Sequence, residues 1–153
     1  MKLTGEKLVG WGLTLAGGHL ISTEPVTKKV ILCIDDDASI LRYETALLER
    51  AGYAVLTATS GRDGLKVLAT RHCDAVLLDY EMPGLNGHDV AFEIKIKRPE
   101  LVVILLSGSE VPTQALALVD AFVPKLEASR QLLPMIAELC SRGQDSKRRR
   151  DGV

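Results

Sequence analysis

Cysteine is scarce in this chain, and the few that it has exclude two classes of small protein. Cys33, Cys73 and Cys140 are odd in number and lie far apart, so they provide neither a disulfide framework nor the closely spaced ligands of a zinc site. Cys33 and Cys73 lie in or beside apolar segments. We therefore expect buried thiols in a reducing compartment, which predicts a cytoplasmic protein.

The sequence also lacks net charge and long apolar runs. The 19 Lys and Arg residues nearly balance the 20 Asp and Glu residues, which leaves a net charge of −1 and no general attraction to nucleic acid or to a membrane surface. The mostly apolar stretch 8–21 is too short to cross a membrane as a helix. The three histidines share no ligand spacing, and none is a candidate catalytic residue. We expect no nucleic-acid or membrane partner.

Composition divides the chain into three parts. Residues 1–28 join a glycine-rich apolar stretch to a polar linker, and we expect a poorly ordered or peripheral extension. Together with the two lysines ahead of it, that apolar stretch also resembles a weak signal peptide, although no convincing cleavage site follows it. Residues 29–141 are long enough for one globular domain. Residues 142–153 carry a run of basic residues and are expected to form a disordered tail.

Short apolar runs alternate with helical periodicity through residues 29–141. The runs predict five strands, at residues 30–34, 53–59, 75–79, 101–106 and 119–123. Such alternation predicts an α/β fold, in which helices cover both faces of a parallel sheet. The fourth helix can come only from residues 110–118, which offer about two turns, so we expect it to be short or irregular.

The helix after the first strand has two features that the sequence predicts. We expect Asp37 to cap its start, because an aspartate directly before a helical segment accepts hydrogen bonds from the first turn. Helical spacing predicts a buried face at Ile40, Tyr43, Leu47, Leu48 and Ala51.

Polar side chains follow four of the five predicted strands. Asp35 and Asp36 follow the first, Asp79 ends the third, Ser107 ends the fourth and Lys125 closely follows the fifth. Right-handed crossovers place the carboxyl ends of parallel strands at one edge of the sheet, and ligands bind at that edge. Each residue alone would more often be a turn or strand-end residue, but together they predict one site.

These groups suit a phosphoryl group. Three clustered carboxylates repel one another, and Mg²⁺ relieves such repulsion because it takes oxygen ligands from carboxylates and phosphates. Lys125 can pair with phosphoryl oxygens, and Ser107 can donate a hydrogen bond to them. An aspartate such as Asp79 can be the nucleophile and form an aspartyl-phosphate.

Four motifs resemble those of the receiver domains of bacterial two-component response regulators. They are Ile-Leu-Cys-Ile-Asp-Asp-Asp, Asp-Ala-Val-Leu-Leu-Asp-Tyr-Glu-Met-Pro-Gly-Leu-Asn-Gly, Val-Val-Ile-Leu-Leu-Ser-Gly and Ala-Phe-Val-Pro-Lys. The resemblance implies a doubly wound, flavodoxin-like sheet of five strands in the order 2-1-3-4-5. It also implies a signalling module rather than an enzyme. Because little chain remains for an output domain, we expect a stand-alone receiver that acts on a downstream protein.

The resemblance further implies how the phosphoryl group arrives and how the metal is held. Asp79 would accept the phosphoryl group from the phosphohistidine of a sensor histidine kinase, and a stand-alone receiver could also pass phosphate to a histidine phosphotransfer protein. Asp36 and Asp79 would bind Mg²⁺ directly, together with the main-chain carbonyl of Glu81. Asp35 would hold a metal-bound water.

The remaining roles belong to the later motifs. The resemblance implies that Ser107 is both a catalytic hydroxyl and a switch residue, that Phe122 is the switch aromatic, and that Lys125 pairs with the phosphoryl group. The chain departs from the family pattern at this lysine. Pro124 precedes it, and Leu126 stands where the family usually has a proline.

Two other functions remain open from the sequence. Asp35 to Asp37 contain the Asp-x-Asp of haloacid dehalogenase-like phosphatases, and Ser107 and Lys125 suit the later motifs of those enzymes, but no acidic pair follows the lysine. The other alternative is a pseudo-receiver that binds partners without phosphate. A phosphatase would turn over phosphate esters steadily, whereas a receiver would carry one stoichiometric phosphoryl group.

Overall fold

The computed structural model describes the backbone of residues 12–16 and 19–23 and all of residues 27–152. The first two segments pair as antiparallel strands, β1 (Gly12–Ala16) and β2 (His19–Thr23). Residues 1–11, 17–18 and 24–26 of the predicted N-terminal extension lie outside the described residues, so its peripheral position and poor order stay predictions.

A five-stranded parallel sheet forms the centre of the domain. Its strands are β3 (Val30–Ile34), β4 (Ala54–Ala58), β5 (Ala75–Asp79), β6 (Val102–Ser107) and β7 (Ala121–Pro124). They lie in the order β4-β3-β5-β6-β7, and every neighbouring pair is parallel. Counted along the chain, this is the order 2-1-3-4-5, so the predicted fold class is confirmed.

Five helices connect and follow these strands. They are α1 (Ala38–Arg50), α2 (Gly61–Thr70), α3 (Gly87–Lys97), α4 (Thr113–Leu116) and α5 (Ala128–Asp151), with a 3-10 turn at Lys125–Glu127 before α5. Asp37, Ser60 and Asn86 precede the first three helices, and each side chain accepts an N–H bond from the first helical turn. Such caps contribute about 1 kcal/mol each. The predicted capping role of Asp37 is therefore confirmed.

Two apolar layers cover the sheet, one on each face. Successive strand residues point to opposite faces, so adjacent residues of one strand join different layers. One layer packs under α2 and α3 and includes Leu32, Ile34, Val76, Leu78, Val90, Ile94, Val103 and Leu105. The other packs under α1 and α5 and includes Ile31, Cys33, Leu41, Leu48, Leu77, Ile104, Leu132 and Ile136. The continuous apolar runs of the sequence are explained by this double coverage.

The buried face of α1 differs from the predicted one. The helix buries Leu41, Glu44 and Leu48, whereas Tyr43 is exposed. Burying a carboxyl group is costly, so a face chosen by hydrophobicity leaves Glu44 in solvent and is rotated by about one residue. The predicted burial of Tyr43 and Ala51 is wrong for this reason, whereas that of Leu48 is confirmed.

The two later helices depart from the sequence expectations in different ways. The predicted short fourth helix is confirmed, since α4 has four residues and buries only Ala115. The predicted end of the last helix near Ser141 is wrong, because α5 continues to Asp151 and residues 142–151 are helical rather than disordered. An ion pair between Glu138 and Arg142 and the basic residues near the helix end favour this extension. The division of the chain into domains stays a prediction.

No helix in the described part of the chain is both long and apolar enough to span a bilayer.

Gly87 begins α3 at a point where the chain has no room for a side chain. A Cβ there would lie 2.6 Å from the Cα of Tyr80 and 2.7 Å from the carbonyl oxygen of Asp79. Both are backbone atoms, so neither can rotate away. We predict that Gly87→Ala lowers the free energy of unfolding by about 1–3 kcal/mol, as overpacking does. Urea unfolding measures this change.

Gly143→Ala is the matched control for that variant. Gly143 is also helical, but no atom lies within 4 Å of the Cβ that alanine would add. Alanine is favoured over glycine in a helix by about 1 kcal/mol, so this variant should be as stable as the wild type or more stable. An unchanged unfolding midpoint for Gly87→Ala would contradict the close packing.

Candidate functional site

A lysine joins two buried carboxylates at the carboxyl edge of the sheet. Asp35 directly follows β3, Asp79 is the last residue of β5, and Lys125 directly follows β7. The Nζ atom of Lys125 lies 3.2 Å from Oδ2 of Asp35 and 3.1 Å from Oδ1 of Asp79. Both carboxylates are almost fully buried, whereas the lysine is partly exposed. The structure therefore brings these three predicted residues into direct contact.

Asp36 completes an acidic cluster from the solvent side. One carboxylate oxygen each of Asp35, Asp36 and Asp79 lies within 4.8 Å of the others. Asp36 is exposed, so this cluster opens to solvent. Three carboxylates against one lysine leave an excess of negative charge. The donor set is all oxygen, which fits a hard divalent cation such as Mg²⁺.

Backbone N–H groups hold the two buried carboxylates in place. Asp35 accepts the N–H of Asp37 at 2.8 Å through Oδ1, and Asp79 accepts the N–H of Glu81 at 3.3 Å through its own Oδ1. The side chain of Asp37 turns the other way and accepts the N–H of Ser39 as the cap of α1. The loops that follow the strands therefore fix the carboxylates, and Asp37 takes no part in the cluster.

The electrostatics of the metal-free site make Asp79 easier to protonate than an ordinary aspartate. Burial, and then the charge of Asp35, raise the pKa of Asp79 to about 6, although Lys125 and the N–H of Glu81 act against the rise. Burial acts to lower the pKa of Lys125, but the pairs with Asp79 and Asp35 outweigh it and raise that pKa. The lysine therefore stays charged, while the carboxylates compete for it.

Glu44 adds a further carboxyl group that the sequence analysis missed. It lies on the inward face of α1 and is 4% exposed. Burial, and then the charge of Asp35, raise its pKa to about 7, while a hydrogen bond with the Cys33 thiol acts against the rise. The spacing of Glu44 from Leu41 and Leu48 is the sequence signal that could have placed it inward.

Of the two predicted switch residues, Ser107 is buried and Phe122 is partly buried, and in the described residues Ser107 forms no hydrogen bond with the acidic cluster. Ser107 ends β6, and in the described part of the chain its hydroxyl bonds only with Ser109, whose N–H it accepts at 3.1 Å. The Ser109 hydroxyl in turn donates to the side chain of Glu81, which ties the loops after β5 and β6 together. Phe122 is partly buried and packs on the layer under α2 and α3.

Comparison with known proteins identifies the family of this arrangement. Residues 31–137 match the family model described as the response regulator receiver domain. A probable transcriptional regulator, ycf27 of Cyanophora paradoxa, is 30% identical over 123 residues, which cover 78% of this chain and 52% of that protein. The response regulator MprA of Mycolicibacterium vanbaalenii is 31% identical over 116 residues, which cover 73% of this chain and 50% of that protein. The chain thus spans about half the length of these relatives.

Solved structures agree with the family model. A CheY-like receiver domain protein from Methanospirillum hungatei has a TM-score of 0.74 at 27% identity, covering 78% of this chain and 99% of that one. The response regulator TrrA of Thermotoga maritima, solved in complex with Mg²⁺-BeF, has a TM-score of 0.70 at 32% identity, covering 72% and 98%. The structure of TrrA in complex with the histidine kinase ThkA has a TM-score of 0.68 at 32% identity, and the match covers 72% of this chain and 97% of that one. From its sequence match and its sheet, the chain belongs to the receiver domain family of two-component response regulators.

Proposed function

We propose that this protein is a phosphorylatable switch whose Asp79 accepts a phosphoryl group from a phosphohistidine. The observation that carries this proposal is the environment of the Asp79 carboxylate. It ends a buried strand, pairs with Lys125 at 3.1 Å, and shares a 4.8 Å cluster with Asp35 and Asp36. The donor would be a sensor histidine kinase or a histidine phosphotransfer protein. TrrA, which is 32% identical, has been solved with a histidine kinase, and this supports the same kind of donor here.

The geometry suggests which atoms act in the transfer. Oδ1 of Asp79 is engaged by Lys125 and by the N–H of Glu81, which leaves Oδ2 to attack the phosphorus. The new O–P bond forms as the P–N bond to the donor histidine breaks, and the imidazole leaves with the bonding electron pair. The Lys125 ammonium would then pair with a phosphoryl oxygen, and the Ser107 hydroxyl would donate to another.

We infer that Mg²⁺ is the cofactor. The oxygen donors fit it, and the TrrA structure was solved with Mg²⁺-BeF. Asp36 and Asp79 would hold the ion directly with the main-chain carbonyl of Glu81, and Asp35 would hold one of its waters. Bound there, Mg²⁺ would neutralise charge on the transferring phosphoryl group.

The site favours this function over the two alternatives. A phosphatase of the Asp-x-Asp type needs Asp37 in the site, but its side chain caps α1 by accepting the N–H of Ser39. The other alternative, a pseudo-receiver that binds partners without phosphate, would not need the phosphoryl-binding residues. Here Asp35, Asp36 and Asp79 form one cluster, and Lys125 pairs with two of them. The protein is therefore best described as a signalling module that catalyses only its own phosphorylation and dephosphorylation.

An exposed apolar side chain marks where the phosphodonor would dock. Leu126 directly follows Lys125 and is 94% exposed. A donor histidine has to reach Asp79 at this edge of the sheet, so the partner would cover Leu126 as it arrives. Apolar side chains that become buried at the centre of an interface contribute strongly to binding.

The remaining parts of the proposal concern output and location. We propose that the output passes to a protein partner, with Ser107 and Phe122 as switch residues. A stand-alone role without nucleic acid stays part of the proposal, since transcriptional regulators are among the relatives. The buried thiols at Cys33, Cys73 and Cys140 are free, which supports a reducing compartment and hence the cytoplasm.

We predict that a small phosphodonor such as acetyl phosphate adds one phosphoryl group to the protein, and only when Mg²⁺ is present. Asp79→Asn should abolish the addition, because the amide cannot act as the nucleophile. Intact mass measurement counts the groups. Asp37→Asn is the matched control and should still be labelled, because Asp37 is a neighbouring aspartate whose side chain caps α1 and takes no part in the cluster. Full labelling of the Asp79→Asn variant would show that another residue is the acceptor.

We predict that Mg²⁺ stabilises the fold more at pH 8 than at pH 5. Without metal, the raised pKa values of Asp79, about 6, and Glu44, about 7, mean that the fold favours the protonated groups. That contribution to stability is present below about pH 4 and is lost as the pH rises through 6 to 7. Mg²⁺ binds the ionised cluster, so at about 100 times its Kd it should add about 2–3 kcal/mol at pH 8.

Two alanine variants separate the metal ligand from the helix cap. Asp36→Ala should lose most of the Mg²⁺ effect on thermal unfolding at pH 8. Asp37→Ala should keep it while losing about 1 kcal/mol of stability in all conditions, because it removes a cap. Equal responses of the two variants to Mg²⁺ would contradict the assignment of Asp36.

We predict that residues 108–118 exchange amide hydrogens rapidly without phosphate and more slowly after phosphorylation. The segment contains only the four-residue α4, and a helix this short depends on packing for its stability. A phosphoryl group that bonds Ser107 would draw the segment toward the site. The amides of α3 are the internal control, since they should be protected in both states. Protection of residues 108–118 that phosphate leaves unchanged would contradict this switch.

A further inference from the structure

A cavity lies at the amino edge of the sheet, at the opposite end of the strands from Lys125. Its volume is about 540 Å³, which is within the range of pockets that hold small molecules. The residues just before β3 and β5, the start of β6, the ends of α2 and α3, and the C-terminal part of α5 surround it. The proposed phosphoryl transfer uses none of these segments.

Four cations line this cavity, and none of them has an acidic partner. They are Lys29, Arg71, Arg98 and Lys147. In the part of the chain that the structure describes, none of the four side chains forms a salt bridge. The ends of α2 and α3 favour a cation, which accounts for the two arginines that directly follow them. It does not account for Lys29, which precedes β3.

The carboxylates at this cavity do not balance the cations. Asp74 accepts the N–H of Val30 at 2.7 Å and lies 3.2 Å from the ring of His72, so its two oxygens are already engaged. The other carboxylate is that of Glu100, which is exposed. Four cations against two carboxylates leave an excess of two positive charges. A dianion would neutralise this excess.

Buried apolar residues line the same cavity. Cys73, Leu101 and Cys140 are all buried, and they give the cavity an apolar wall beside its charges. The Nζ atom of Lys29 donates to the main-chain carbonyl of Cys140 at 3.1 Å, which holds the lysine against this wall. Pockets that combine an apolar wall with a few charged groups suit ligands that have an apolar body and a charged group.

The arginines have donors to spare for a ligand. Arg98 donates through Nη2 to the carbonyl of Leu68, but a guanidinium carries five N–H groups. Its planar fork matches two oxygens of a phosphate, and the ammonium of Lys147 adds a mobile charge. A phosphate monoester carries about two negative charges near neutral pH, which equals the excess of positive charge in the cavity.

We propose that this cavity binds a small phosphate-bearing anion of mononucleotide size. The cations hold the phosphate, and the ring of the ligand packs on the apolar wall. The proposal is independent of phosphoryl transfer to Asp79, because the cavity lies at the other edge of the sheet. Its test uses no Mg²⁺, and the acidic cluster at Asp79 repels anions when no metal is present. Failure of the test therefore leaves the proposed function untouched.

Three probes separate charge from apolar contact. Calorimetric titration of the full chain in Mg²⁺-free buffer should show that AMP binds and that added NaCl weakens its binding. Inorganic phosphate should bind more weakly because it lacks the ring, and adenosine should not bind because it lacks the charge. Adenosine or phosphate that binds as tightly as AMP would overturn the proposal. A protein that does not bind AMP at millimolar concentration would overturn it as well.

Two charge-neutralising variants test the site itself. Arg71→Gln and Lys147→Gln should each weaken AMP binding about tenfold, since each removes a charged donor. Both residues are exposed, so neither change should disturb the fold. Arg148→Gln is the matched control and should bind AMP as the wild type does, because Arg148 neighbours Lys147 on α5 but does not line the cavity. Equal losses in all three variants would show a general effect of charge and would overturn the proposal.

The location of binding can be measured directly. Amide NMR signals of residues 71–74 and 140–147 should shift as AMP is added, because these segments line the cavity. Signals of residues 79–81 at the opposite edge should stay unchanged. Shifts that centre on residues 79–81 would place the anion at the acidic cluster and overturn the proposal.

Discussion

The contact of Lys125 with two buried carboxylates is the interaction on which the site depends. A parallel sheet brings the carboxyl ends of β3, β5 and β7 together, so Asp35 and Asp79 share a buried edge. Two buried carboxylates without a counter-charge would oppose folding strongly. The single lysine at 3.1–3.2 Å offsets this only in part, because Asp36 and Glu44 add to the same field. The fold is therefore built to hold negative charge that it does not fully neutralise.

That imbalance is tolerated because the rest of the structure stabilises the edge. Two complete apolar layers and three capped helices support the strands whose ends carry the charges. The close contact of Gly87 with the backbone of Tyr80 and Asp79 fixes the loop that carries the acceptor. A rigid scaffold keeps the carboxylates from moving apart, so a cation or a phosphoryl group meets a preformed site. The instability of the metal-free site and the affinity for a cation that we propose have the same cause.

Most of the fold and the cluster follow from the sequence, and the exceptions have physical reasons. Continuous apolar runs predicted the strands. The polar residues at or just after the strand ends, which are Asp35, Asp36, Asp79 and Lys125, predicted the site. The inward position of Glu44 was missed because hydrophobicity cannot identify a buried carboxyl group. The extension of α5 beyond residue 141 has no apolar periodicity, since all of its residues are exposed. The contact of Ser109 with Glu81 joins two loops and leaves no trace in local spacing.

The segment between β6 and β7 connects the proposed switch residue Ser107 to the rest of the domain. The segment between β6 and β7 is short, so it forms a single turn of helix. At its start, this leaves the loop after Ser107 with few contacts, and a phosphoryl group can reposition it at little cost. Ala115, the buried residue of α4, lies in the same apolar layer as Val90 and Ile94 of α3. A shift of the loop after Ser107 would therefore reach that layer through α4.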